Sequence, residues 1–308
     1  MTQFSLNTPQ WRGVFPAVTT QFKADQSLDL ESTQRMLDRL IQEGVHGIIV
    51  AGTVGENMSL SATEKRQLIA AAKEVVAHRV PLLSGVAETT TQAACHYAQD
   101  CENAGLDGLM VLPGMVYKSQ QHEAVAHLTA VAQSCQLPVM VYNNPVSYAV
   151  DISLDSMEIL AKVPNIVAVK ESTEDTRRLS ELYSRFDKRF TVFCGVDDIA
   201  LESLMLGATG WISGLTNVFP KESVAIYQLA QQGRYHEARE LWRWFLPLLR
   251  LDTIPTLVQC IKFAEMLMGR GSETVRAPRL PLQGAERLRV QQVLDTALAT
   301  RPDLTTLL

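Results

Sequence analysis

Short apolar runs rich in β-branched residues alternate with amphipathic stretches along the first three-quarters of this 308-residue chain. A run of four to eight apolar residues bounded by glycine, proline or polar residues predicts a strand buried on both faces. Apolar positions recurring every three to four residues predict a helix packed by one face. The runs place strands at 13–20, 47–53, 81–87, 108–112, 138–143, 166–171, 191–195 and 210–214. Between them the periodicity predicts helices, among them 31–43, 62–77, 91–104 and 123–135. Ser61 with Glu64 three residues on is a capping box, and Gly44 and Gly105 stand where helices should close.

Strands and helices alternating in this way predict an α/β fold, a (β/α)8 TIM barrel followed by a C-terminal helical segment. A doubly wound open sheet is the alternative, but it usually carries a GxGxxG phosphate fingerprint, and none occurs here. The barrel is expected over residues 1–232 and the helical segment over 233–308. In that segment Trp242, Trp244, Phe245 and Leu248 form an apolar stripe, which reads as core or as a subunit contact.

Composition narrows the class. The apolar content of 46% is ordinary, and no apolar run approaches the roughly 18 residues of a membrane span. A net charge of −5 offers no footprint for nucleic acid, so neither membrane nor nucleic acid is an expected partner. The opening residues lack the charged and apolar regions of a secretory signal. Five cysteines, odd in number and without CxxC spacing, read as free thiols of a reducing, cytoplasmic compartment. The six histidines show no ligand spacing, and no metal site is expected.

The candidate chemistry lies at three strand ends, where a TIM barrel gathers its catalytic groups. Lys170 ends the run Asn165-Ile-Val-Ala-Val-Lys170. Alone it reads more readily as a lysine snorkelling from a strand terminus. If desolvated, its pKa falls, and a free amine at the bottom of a pocket forms Schiff bases with carbonyls. Tyr142, ending the run 138–142, is the candidate acid/base partner, with a plain core tyrosine as the alternative. Gly52-Thr53-Val54-Gly55-Glu56 follows a third run, and its hydroxyl and N–H groups suit a carboxylate, or else make an ordinary strand-to-helix turn.

Taken in order, five motifs resemble the dihydrodipicolinate synthase/N-acetylneuraminate lyase family of class I aldolases. They are Gly52-Thr53-Val54-Gly55-Glu56, Tyr142-Asn143-Asn144-Pro145, Val169-Lys170-Glu171, Gly195-Val-Asp197-Asp198 and Gly210-Trp-Ile212-Ser213. The resemblance implies a barrel that is usually a homotetramer, acting on a small 2-oxo acid through a Schiff base on Lys170 with no other cofactor. Tyr142 would move protons, and Thr53 with the N–H of Val54 would clamp the substrate carboxylate. Asn144, Ser172, Gly195, Asp197, Ile212 and Ser213 would be further substrate contacts. Asp197 reads equally well as an N-cap for a helix starting near Ile199.

The chain departs from the synthases at three places. A second threonine of the glycine-rich turn is Val54, a pair of tyrosines after the fourth strand is Gly114 and Met115, and an arginine is Ser147. Tyr117 lies close to the lost pair. These losses argue against dihydrodipicolinate synthesis. The fuller resemblance is to the Δ1-pyrroline-4-hydroxy-2-carboxylate deaminases of hydroxyproline catabolism, carried by residues 14–22, 143–145, 210–220 and 251–262. Their substrate is a cyclic imine with one carboxylate, and its deamination and dehydration give 2,5-dioxopentanoate. The competing readings are an aldolase or dehydratase of 2-oxo-3-deoxy sugar acids and a pyruvate-binding barrel without turnover.

Overall fold

Every one of the eight apolar runs is a strand in the computed structural model, which describes residues 9–114 and 116–307. The strands are β1 (Gly13–Pro16), β2 (Ile48–Val50), β3 (Leu82–Val86), β4 (Gly108–Val111), β5 (Val139–Asn143), β6 (Ile166–Glu171), β7 (Thr191–Cys194) and β8 (Gly210–Ser213). All pair in parallel in the order β1-β8-β7-β6-β5-β4-β3-β2. The sheet closes on itself where Ala17 bridges Ile49 and Val18 N–H donates to the Ile49 carbonyl at 2.8 Å. This is a TIM barrel with C-terminal helices.

The outer helices form for the reasons the pattern gives. Leu30–Gln42 turns Thr33, Met36, Leu37 and Leu40 inward, one helical face, behind an Asp29 cap that accepts from Ser32 N–H. Ala62–Val76 begins at the Ser61–Glu64 capping box. Each fully buried leucine or methionine on such a face contributes about 1.5–3 kcal/mol relative to exposure.

Two strands, β1 and β2, fall well short of their apolar runs, for local reasons. Beyond Val50 the chain leaves the extended region, because Ala51 takes a φ of 51°. Beyond Pro16 only an isolated bridge continues, since Thr19 and Gln21 turn their side chains to Glu265.

After the barrel come the helices Tyr235–Leu249, Leu257–Leu267 and Gly284–Ala299. The aromatic stripe packs inward rather than outward. Trp242, Phe245 and Leu248 are buried, Trp242 meets Trp211 of β8 edge-on at 6.2 Å, and Phe245 meets Phe219 at 5.7 Å. Lys262 reaches from the second of these helices to Glu56, in the turn after β2, at 2.8 Å, with both side chains fully buried. The C-terminal segment is thereby pinned over the end of the barrel where β2 stops. Among the described residues no helix is long and apolar enough to cross a membrane. All five cysteines are free, four of them buried.

Candidate active site

Sheet register alone brings the two main candidates together. Tyr142 on β5 pairs with Lys170 on β6, which pairs in turn with Phe193 on β7. Residues level with one another in parallel strands point to the same side, so lysine and tyrosine stand next to each other at the C-terminal end of the barrel. Lys170 Nζ lies 4.0 Å from the Tyr142 ring centroid. Gly195, just past β7, leaves room for the lysine stem: a Cβ there would sit 2.6 Å from Lys170 Cε and 2.1 Å from Ser172 Oγ.

Burial sets the protonation states. Desolvation lowers the Lys170 pKa to about 8, while Asp252 and Asp197 act against it. A useful fraction of the amine is therefore free near neutral pH. Burial pushes the Tyr142 phenol up to about 12, against hydrogen bonds that favour its ionised form. Its oxygen accepts from Asn144 Nδ2 at 2.9 Å. A phenol held this way keeps its proton until a reacting atom takes it.

The two side chains open into a cavity of about 430 Å³, within the usual range for small-molecule sites. Thr53, Val54, Asn144, Ser172, Gly195 and Ile212 line it with them. Asp197 and Ser213 do not. Asp197 is fully buried behind the wall, its carboxylate taken by Trp211 Nε1 at 2.9 Å, Ser213 Oγ at 3.0 Å and Leu215 N–H at 3.0 Å. With those acceptor positions filled from the protein it has little left for substrate hydroxyls. It does not act as an N-cap either, because its short 3₁₀ turn starts after Val196 with no side-chain cap.

Four ionisable lining residues escaped the sequence reading: Tyr148, Glu174, Asp252 and Arg279. Tyr148 ends the helical turn Pro145–Tyr148 after β5, and its hydroxyl hydrogen-bonds Thr53 Oγ1. Its ring meets Tyr142 edge-on at 5.8 Å. The phenol beside the threonine thus comes from this turn. Tyr117 points elsewhere: it is exposed and donates to Glu123 at 2.6 Å. Met115 lies outside the described residues. Ser147 lines the cavity and offers no charge, while Arg279 approaches from the C-terminal segment with its guanidinium 3.8 Å from Glu56. Tyr148 left a trace in the sequence, three residues beyond Pro145, and Asp252 falls in the stretch 251–262 that carries the finer resemblance. Asp252 and Arg279 lie in stretches with no periodicity to mark them.

Comparison with known proteins points one way. The model of the dihydrodipicolinate synthetase family matches residues 10–297. The 4-hydroxy-tetrahydrodipicolinate synthase of Rhizobium meliloti is 35% identical over 271 residues, 88% of this chain and 92% of its own. That of Methanospirillum hungatei is 32% identical over 92% of this chain and 99% of its own. Among solved structures, the synthase of Methylacidiphilum fumariolicum superposes with a TM-score of 0.91 at 29% identity, over 96% of this chain and 98% of its own. An Escherichia coli K12 prophage protein of the dihydrodipicolinic acid synthase family, solved with pyruvate, gives 0.88 at 29%, over 94% and 99%.

Proposed function

The chain belongs to the dihydrodipicolinate synthetase family, and within it we propose a deaminase of Δ1-pyrroline-4-hydroxy-2-carboxylate. The family's enzymes are class I lyases that work through a lysine Schiff base without a metal cofactor. One observation carries the finer reading. The Lys170–Tyr142 pair opens into a small cavity lined by Thr53 and Val54, which would clamp one carboxylate, and the turn after β5 offers it Ser147 instead of a cation. That suits a compact substrate with one carboxylate.

Lys170 attacks C2 of the cyclic imine, and one of its N–H protons passes to the ring nitrogen. Tyr142 gives its own proton to the same exchange, so the ring opens to a protonated lysine imine and a free amine on C5. Tyr142, now a phenolate, takes a proton from C3, and the iminium accepts the electron pair. The resulting enamine expels the C4 hydroxyl, which leaves as water. Tautomerisation turns the C5 amine into an imine, and hydrolysis at C5 and C2 releases ammonia, 2,5-dioxopentanoate and free Lys170. The net reaction adds one water and gives one ammonia.

The test is ammonia release from the hydroxypyrroline carboxylate, set beside condensation of pyruvate with aspartate semialdehyde. Ammonia without condensation is the expected result; robust condensation would overturn the reading in favour of the activity named for the relatives. Arg279 favours one other reading, because a cation on the cavity wall suits the far carboxylate of a 2-oxo-3-deoxy sugar acid that is a diacid. Pyruvate or water release from such an acid, without ammonia from the pyrroline, would select it. The family resemblance further supports a homotetramer, which sedimentation of the purified protein would check.

A further inference from the structure

Asp252 stands on the cavity wall, in the turn Arg250–Asp252 between the helices Tyr235–Leu249 and Leu257–Leu267. The steps above do not use it. Its carboxyl stands beside that of Asp197, since Gly214 N–H donates to Asp252 and the next N–H, of Leu215, to Asp197. The two acids are unequally served by donors. Asp197 accepts from Trp211, Ser213 and Leu215, all at 2.9–3.0 Å. Asp252 receives one backbone N–H, from Gly214 at 3.4 Å, and its Oδ1 is buried with no hydrogen-bond partner.

Two carboxyls this close do not both ionise near neutral pH. Three donors hold the charge on Asp197, so the shared proton resides on Asp252. Burial and the neighbouring Asp197 charge act in the same direction, raising the Asp252 pKa well above its ordinary value. The fold also reserves the space. A Cβ on Gly214 would fall 2.4 Å from Asp252 Oδ1, so only glycine at the end of β8 admits the carboxyl.

We propose that Asp252 is a catalytic acid, giving its proton to the hydroxyl that leaves C4 of the substrate while Asp197 carries the negative charge of the pair. The proposal rests on the deaminase reading. Tyr142 is committed to C2 and C3, beside the lysine it touches, and hydroxide is a poor leaving group without a proton of its own. In this step the enamine pair forms the C3=C4 double bond and the C4–O bond breaks. The oxygen takes the Asp252 proton and departs as water. Asp252 is left a carboxylate, and the proton lost from C5 in the following tautomerisation restores it.

The test compares the native enzyme with Asp252→Asn on the 4-hydroxy substrate and on its 4-fluoro analogue, following ammonia. Fluoride departs as an anion and needs no proton. Borohydride trapping with pyruvate reports separately on Lys170. Asp252→Asn should still trap pyruvate and should lose about 10²- to 10⁴-fold in kcat on the hydroxyl substrate. It should turn over the fluoro analogue at close to the native rate. Equal losses on both substrates, no loss on the hydroxyl substrate, or loss of trapping would each overturn the role of Asp252. In all three cases ammonia release by the native enzyme leaves the deaminase reading standing. No ammonia from the native enzyme would sink both.

Discussion

At the scale of single residues, the lysine carries the testable chemistry. Lys170 is the proposed Schiff-base residue, so borohydride with pyruvate should label one peptide, the one containing Lys170. A label on Lys162, Lys221 or Lys262 would refute the assignment; Lys262 is in any case bound to Glu56 and the Thr274 carbonyl. Because burial lowers the Lys170 pKa to about 8, the free amine falls tenfold for each unit below that value. The expected kcat/KM therefore rises with pH and levels above about 8, and a flat profile across that value would count against the lysine as nucleophile. Tyr142→Phe should keep substrate affinity and lose about 10² to 10⁴ in kcat. Both residues were legible because each is a polar group ending a buried apolar run. Asp197 was legible only as an acid near a strand end, and which donors it faces depends on β8, 14 residues away at Trp211.

At the scale of elements, the site is two turns pressed together. Thr53 sits in the turn after β2 and Tyr148 in the turn after β5, and their hydroxyls bond across the cavity mouth. Tyr148→Phe removes that bond, worth about 0.5–1.5 kcal/mol net. Thr53, the proposed clamp, loses its orientation, so KM for the carboxylate substrate should rise several-fold while kcat changes less. An unchanged KM would mean Thr53 is held by its backbone alone. Gly195→Ala probes the turn after β7. Its Cβ would overlap the Lys170 stem and Ser172, so pyruvate trapping should be lost while far-ultraviolet circular dichroism stays native. Trapping at the native level would show that the strand end has slack. The run lengths overestimated β1 and β2, because hydrophobicity does not record where φ turns positive at Ala51 or where Thr19 bonds a distant acid.

At the scale of the molecule, buried charges join the C-terminal helices to the barrel. Lys262→Met strands Glu56 in the interior, and breaking a buried pair typically costs about 3–5 kcal/mol. Urea unfolding should record the loss, and a shift under 1 kcal/mol, on the order of a surface pair, would show that Arg279 and the Arg276 N–H compensate Glu56. Glu265 on the same helix accepts from Thr19 and Gln21, and burial raises its pKa from 4.5 to about 7. The folded state therefore holds a proton that the unfolded chain releases. The associated stability is full below 4.5 and is lost as pH rises through about 7. Glu265→Gln should flatten the dependence of unfolding free energy on pH over that interval, and an unchanged slope would assign it to other groups.

The order of eight strands and their helices, hence the barrel, is legible in the residues alone, and so are Lys170, Tyr142 and Thr53 as candidates. Local patterns suffice for these, because burial on both faces leaves a run of apolar residues and a polar group at its end is conspicuous. The rest of the cavity wall is assembled by long-range contacts. Tyr148 meets Thr53 across 95 positions of sequence, Asp252 reaches the space above Gly214 from another helix pair, and Arg279 joins Glu56 across the C-terminal segment. None of these pairings has a period, a fixed spacing or a propensity behind it. They arise because closing the sheet brings the ends of all eight strands within one small circle, and closure is a property of the whole chain.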